Sequence, residues 1–200
     1  MPRQIDQTVT DVRREIMDAA SELFATEGYT STSMRKIANK IGYSPTTIYL
    51  YFRDKDDLLR QICDATFAEL TRNVNAINQL SGEPLDKLRL GLKEYILFGL
   101  RHPLHYHVLF EMNIPRQDPG PAAFDNTDGS RAFDTLRTSV AACTAANLLR
   151  TDEVELISQS LWAGIHGITS LLNNHPAFPW LDRSRVIETY LDILISGVKA

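Results

Sequence analysis

The sequence predicts an all-α protein, with three short N-terminal helices followed by a larger helical domain. Apolar residues recur at three- and four-residue spacing in segment after segment, and no alternating strand pattern or internal repeat interrupts them. The punctuation agrees. Gly28, Gly42, Ser44-Pro45, Ser81-Gly82-Glu83-Pro84 and His102-Pro103 cut the chain into lengths that suit helices.

The first amphipathic pattern covers 10–27, with Val12, Ile16, Ala19, Ala20, Leu23 and Phe24 on one face and Gly28 as its stop. Ser33 is placed to cap a short helix from Met34 to Ile41 that buries Met34, Ile37, Ala38 and Ile41. Gly42 ends it. Ser44 and Pro45 supply a cap and a first-turn proline for a third helix running to about Phe52. Asp54-Lys55-Asp56-Asp57 then opens a long helix over about 55–79, its acids matched to the positive end of the helix dipole. Ser81-Gly82-Glu83-Pro84 marks a boundary. The expected division is therefore 1–54 for the small domain, 55–80 for a connecting fourth helix, and 81–200 for the rest. Further helices are expected at 85–101, 104–112, 131–148, 152–173 and 183–198. The stretch 114–130, rich in Pro, Gly, Asp and Asn, reads as the one long loop.

At 200 residues and 44% hydrophobic content the chain suits one or two soluble domains. No apolar run is long enough for a membrane span, and the first residues lack the apolar core of a secretory signal. Cys63 and Cys143 lie far apart in apolar helical patterns and read as buried free thiols, so a reduced, cytoplasmic protein is expected. The net charge of −4 hides an asymmetry. Residues 1–53 carry seven Lys and Arg against six acids, and all six acids precede Gly28. From Gly28 to Arg53 the charge is only positive, which suits local contact with phosphates.

Two short helices joined by a glycine-containing turn form a helix-turn-helix pattern. The second of them opens on Pro45-Thr46-Thr47, and threonine can bond base edges or touch a thymine methyl. Tyr49 and Tyr51 carry hydroxyls able to reach phosphates. Ile48 and Phe52, four apart, can pack inward. Tyr49 also fits a plain core aromatic, Thr46 and Thr47 a solvated helix start, and Arg35 and Lys36 ordinary surface charges.

The runs Ser33-Met34-Arg35-Lys36-Ile37-Ala38, Gly42-Tyr43-Ser44, Thr47-Ile48-Tyr49-Leu50-Tyr51-Phe52 and Lys55-Asp56-Asp57-Leu58-Leu59 resemble the signature of the TetR/AcrR family. Residues 19–29 are similar to that family's first helix, so the resemblance covers about residues 10–60. It implies a homodimeric transcriptional regulator, a repressor released from a near-palindromic double-stranded DNA operator by a small-molecule effector. Ser33 and Ser44 would cap helices and touch phosphate, with Arg35 and Tyr43 beside them. Thr46 and Thr47 would face bases with Pro45 beside them, and Tyr49, Tyr51 and Lys55 would hold the backbone. Two positions depart from the family pattern. Tyr51 stands where histidine is frequent, and Pro45 replaces a residue that is often polar.

The segment Leu161-Trp162-Ala163-Gly164-Ile165-His166-Gly167-Ile168 resembles a Trp-x-x-x-His-Gly motif of one subgroup's ligand domain. Trp162 and His166 share a helix face, and both glycines suggest close approach of another helix. Core packing and pocket lining are both open for Trp162. An effector pocket is expected from Tyr106, Leu109, Phe110, Trp162 and His166, with the 114–130 loop as lid or entrance. His102, His105 and His107 invite a metal, but Pro103 separates the first two and the only nearby acid is Glu111. They are expected to decorate the pocket or serve the fold, and no metal or other cofactor is expected. The last two helices carry more apolar surface than one core needs, and they are the expected dimer contact. No catalytic motif is present, so an enzyme is not expected; the rival readings are a DNA-binding adaptor governed by a protein partner and, against that expectation, a helical metal-dependent enzyme.

Overall fold

A computed structural model describes residues 3–112 and 127–200, with side chains from residue 11 onward. Its helices are α1 (Arg3–Glu27), α2 (Met34–Lys40), α3 (Pro45–Tyr51), α4 (Lys55–Asn78), α5 (Pro84–Arg101), α6 (Pro103–Phe110), α7 (Asp128–Ala145), α8 (Val154–Asn174) and α9 (Arg183–Val198). Among the described residues the only strand-like pairing is a single antiparallel bridge, Leu149 with Lys199. The all-α expectation holds.

The chain forms two compact units. One holds the described residues up to Thr66 and those from Leu104 to Met112. The other holds Phe67–Pro103 and the described residues from Thr127 to Ala200. Helix α4 therefore gives its first half to one unit and its second half to the other, and α6 is grouped with the N-terminal helices.

In the first unit, Ile16, Ala20 and Phe24 of α1 meet Ile37 of α2, Ile48 of α3, Phe52, and Leu58 and Ile62 of α4. Each of these is at most 1% exposed, and Val108 of α6 joins them. The expected inward pair Ile48 and Phe52 is thus in the core. Glycine and serine set the geometry. Gly28 (φ +85°) ends α1 in the left-handed region. Gly42 (φ +73°) ends α2, with Tyr43 N–H donating to Ala38 O at 3.0 Å and Gly42 N–H to Asn39 O at 3.4 Å. That is a Schellman closure, and it turns the chain tightly into α3. Ser33 and Ser44 cap α2 and α3 by accepting from Lys36 N–H at 3.2 Å and Thr47 N–H at 3.1 Å.

The second unit is built on α5, α7, α8 and α9. Leu88, Leu92 and Ile96 pack with Val140 and Cys143, with Ile157, Leu161, Ile165 and Leu172, and with Ile187 and Leu191. Arg89 on α5 bonds Glu188 at 2.7 Å and Asp192 at 2.8 Å on α9. Arg137 on α7 bonds Glu155 on α8 at 2.7 Å. The C-terminus is tied down, since Ala200 N–H donates to Leu148 O and Arg150 N–H to Val198 O, both at 3.0 Å.

Three boundaries differ from the sequence expectation by three residues or more. Helix α1 starts at Arg3 rather than at 10. Helix α7 starts at Asp128, capped by Thr127, so the tail of the expected 114–130 loop is already helical. The rest of that loop, and with it the proposed lid, lies outside the described residues. Helix α7 also stops at Ala145 rather than 148, because Asn147 adopts φ +55° and Leu148 N–H returns to Cys143 O at 3.0 Å. Asparagine takes the left-handed cap position that glycine usually fills, and no glycine was there to reveal it.

Candidate nucleic-acid interface

Helix α3 is seven residues long and has one inward side. Ile48 is fully buried, and Pro45, Thr47 and Tyr51 are half-buried. Tyr51 packs on the core of the first unit. Thr46, Tyr49 and Leu50 make up the exposed side, with Tyr49 54% and Leu50 78% exposed. Tyr49 is therefore not a core aromatic. Thr46 and Thr47, equivalent by composition, are not equivalent in space. The Thr47 hydroxyl lies 2.9 Å from that of Ser44, while Thr46 faces outward.

Around α3 the polar residues divide into two kinds. Ser33 and Ser44 are exposed but hold helix starts, as expected of caps. Tyr43 is half-buried, and its hydroxyl donates to Glu15 at 3.2 Å. Burial and the Glu15 carboxylate together raise its pKa, so it stays a donor. Lys55 turns into the unit. Its ammonium donates to Tyr29 O at 2.7 Å and Thr32 O at 2.9 Å, and it sits 4.1 Å from the Tyr29 ring centroid. Burial lowers its pKa. Lys55 thus clasps the loop between α1 and α2, with one N–H left for another acceptor. Arg35 is exposed and makes no hydrogen bond or ion pair among the described residues.

The purely positive stretch after Gly28 is also less uniform than it reads. Lys36 pairs with Glu27, and Lys40 pairs with Glu22 at 2.7 Å. Both acids come from α1, which sequence order had set apart. Asp54 caps α4 by accepting from Asp57 N–H at 2.7 Å. Asp57, 5% exposed, accepts in turn from Arg53 N–H at 3.0 Å. That backbone bond, first among several, depresses the Asp57 pKa below the ordinary carboxylate range.

The expected pocket residues fall in both units. Tyr106, Leu109 and Phe110 belong to the first. Tyr106 is buried with its ring 4.9 Å from that of Phe110, and Leu109 packs on the first core. Trp162 and His166 belong to the second. Trp162 is 39% exposed and meets Phe133 edge-on at 5.9 Å. His166 Nδ1 lies 3.3 Å from the Tyr95 hydroxyl. His102, His105 and His107 face separate carboxylates: His102 Glu69 at 3.7 Å, His105 Asp18 at 3.9 Å and His107 Glu111 at 3.0 Å. Among the described residues no group of three His, Cys, Asp or Glu side chains is placed to hold a metal ion.

The model of the tetR family of bacterial regulatory proteins matches residues 16–62, and that of the tetracyclin repressor-like C-terminal domain matches residues 88–195. The HTH-type transcriptional regulator AcrR of Shigella flexneri is 35% identical across 98% of this chain and 93% of its own length. The chain belongs to the TetR family. Among solved structures, the TetR-family regulator PfmR of Thermus thermophilus superposes with TM-score 0.75 at 18% identity, covering 90% of this chain and 97% of that one. The fatty acid degradation regulator FadR of Bacillus halodurans gives TM-score 0.76 at 16% identity, covering 92% and 94%. These two show the shared fold.

As a TetR-family member the protein is a DNA-binding transcriptional regulator and not an enzyme. Its relatives include repressors, one being AcnR of Corynebacterium jeikeium, 26% identical over 86% of this chain and 87% of that protein. No described helix is long and apolar enough to cross a membrane. The sequence reading of the TetR head missed Leu50. The signal was present, since Leu50 lies off the inward Ile48 and Phe52 stripe and an apolar residue there has no core to enter.

Proposed function

We propose that the protein is a homodimeric repressor whose α3 lies in the major groove of a near-palindromic operator and which a small-molecule effector releases. The observation that carries this reading is the sidedness of α3: Ile48 is fixed in the core while Thr46 and Tyr49 face solvent. Residues 1–54 act as the DNA grip, 55–80 as the connecting helix and 81–200 as the effector and dimer part. Pro45, Thr46 and Thr47 meet base edges. Ser33, Arg35, Tyr43, Ser44, Tyr49 and Tyr51 meet phosphates, which fix register without reading sequence. Lys55 contributes first by holding the α1–α2 loop, and through its remaining N–H to phosphate.

Dimerisation is assigned to α8 and α9. Leu156, Leu171 and Ile193 are 54%, 49% and 61% exposed in the single chain, a large apolar exposure for helices that also fill a core. Tyr106, Leu109, Phe110, Trp162 and His166 are the residues assigned to the effector. The effector acts by binding better to the conformation that does not fit the operator, and it shifts the equilibrium by that difference in affinity.

Operator selection from random DNA at several salt concentrations tests the grip. Thr47→Ala should weaken specific binding more than non-specific binding, and equal loss on both would overturn the base-contact assignment. Ile193→Glu tests the dimer: sedimentation should show monomers, and an unchanged dimer would overturn the α8–α9 assignment.

A further inference from the structure

We infer that Leu50 reads the C5-methyl group of a thymine in each operator half-site, from the helix face it shares with Thr46. The inference rests on the reading of α3 as the major-groove helix. Leu50 is 78% exposed and is absent from the apolar cluster of its unit, which takes in even half-buried residues such as Tyr43, Tyr51 and Leu109. Within α3 it lies four residues after Thr46, so the two share one face and stand close together. Tyr49, three residues after Thr46, borders the same face. The capped start of α3 and the buried Ile48 fix that face outward. Leu50 is therefore an outward apolar side chain on a rigidly held helix, with no folding role to account for it.

The chemistry of the groove narrows its partner. Base edges in the major groove present hydrogen-bond donors and acceptors, and a leucine can satisfy none of them. Thymine alone adds an apolar group there. Placing Leu50 against a donor or acceptor would desolvate that group without a replacement bond. Against a thymine methyl it removes apolar surface from water on both sides. The residue thus carries specificity at one position by attraction to thymine and by penalty against the other bases.

The test uses the full-length protein and the operator selected from random DNA. Each thymine is replaced in turn by uracil, which removes the methyl group and leaves the pairing edge intact, and dissociation constants are read by fluorescence anisotropy. One thymine per half-site is expected to show about fourfold weaker binding on replacement, the weight of one buried methyl group, and about fifteenfold when both half-sites carry uracil. Leu50→Ala should bind the thymine operator as weakly as the wild type binds the uracil operator, and it should be indifferent to the methyl. Leu50→Met should keep the sensitivity. Exposure of Leu50 means that melting temperatures should agree across these variants. A half-site without thymine, indifference of the wild type to every uracil, or retained sensitivity in Leu50→Ala would each overturn the inference while leaving the DNA grip in place. Uniform weakening of all sequences by Leu50→Ala would assign it to the sugar-phosphate backbone and overturn base reading. If no sequence were retained from the random pool, the reading of α3 itself would fall, and this inference with it.

Discussion

Two glycines on α8, three residues apart, should respond in opposite directions to the same added methyl group. A Cβ at Gly164 would lie 2.7 Å from the Tyr190 hydroxyl oxygen and 3.1 Å from Leu194 Cδ2, both on α9. At Gly167 it would meet nothing within 4 Å. Replacing glycine by alanine inside a helix gains about 1 kcal/mol of intrinsic stability. At Gly167 nothing opposes that gain, so Gly167→Ala should raise the melting temperature by about 2–4 °C for a chain of this size. At Gly164 the gain competes with overpacking, which typically costs about 1–3 kcal/mol. The tyrosine hydroxyl is the far end of a side chain and can yield; the leucine methyl, beside the buried Leu191 layer, yields less. Gly164→Ala should therefore be destabilising by about 1 kcal/mol, and removing the hydroxyl with Tyr190→Phe should relieve only a minor part of that cost, because Leu194 stays in place. Urea unfolding at one fixed protein concentration reads all of these, because association would otherwise move the apparent stability. If Gly164→Ala stabilises as much as Gly167→Ala, α8 and α9 do not approach as closely as described. If Gly167→Ala destabilises, something covers that position in the assembled protein and its openness in the single chain is not the operative fact.

Three further perturbations act on groups held inside the fold. Lys55→Met keeps the stem of the side chain but removes two charge-assisted hydrogen bonds and the contact over Tyr29, so it should lower stability by about 2 kcal/mol in thermal unfolding; a change under about 0.5 kcal/mol would refute the clasp. Asp57 has a folded-state pKa depressed below its unfolded value of about 3.9, so its contribution is complete above that value and fades as pH falls through the lower folded one. Urea midpoints should therefore drop below about pH 4, and Asp57→Asn should flatten that slope; a variant with the wild-type slope would refute the assignment. Cys143 is fully buried, and burial pushes its thiol pKa up to about 11. In a Cys63→Ser background it should ignore Ellman's reagent at pH 8 until urea unfolds the chain; a prompt reaction in the native state would refute its burial.

The helices were legible because their signals are local. Ser33, Ser44 and Pro45 sit where caps and first-turn residues belong, and α2 and α3 start where expected and each end one residue early. What was not legible depends on contacts across the fold. Lys55 looked like a free cation, because nothing in the sequence brings the carbonyls of Tyr29 and Thr32 to it. Lys36 and Lys40 looked like part of an unbroken positive stretch until α1 placed Glu27 and Glu22 beside them. Gly164 and Gly167 read alike, since a glycine in a helix announces a possible close approach without saying whether a neighbour arrives. The residues proposed for the effector were the least legible. Helical periodicity puts Trp162 and His166 on one face, yet it carries no information about which unit Tyr106 and Leu109 join.

The same division of labour decides how substitutions in the head should be interpreted. Ser33, Ser44 and Lys55 are polar, near α3, and engaged in holding the fold. Arg35, Thr46 and Tyr49 are polar, near α3, and engaged in nothing among the described residues that the fold requires. A serine cap contributes about 1 kcal/mol, so Ser44→Ala weakens DNA binding partly by loosening α3, and that loss falls on every DNA sequence alike. Arg35→Ala removes one cation from the surface, and its signature is electrostatic: binding weakens for all sequences, the salt dependence becomes shallower by about one unit of slope, and melting does not move. Thr46→Ala leaves both melting and salt slope unchanged and relaxes sequence preference alone. Three residues that a DNA-binding assay would score as equivalent losses are thus separated by reading affinity, salt slope and melting temperature together. A salt slope unaltered in Arg35→Ala would remove that residue from the phosphate contacts, however exposed it is.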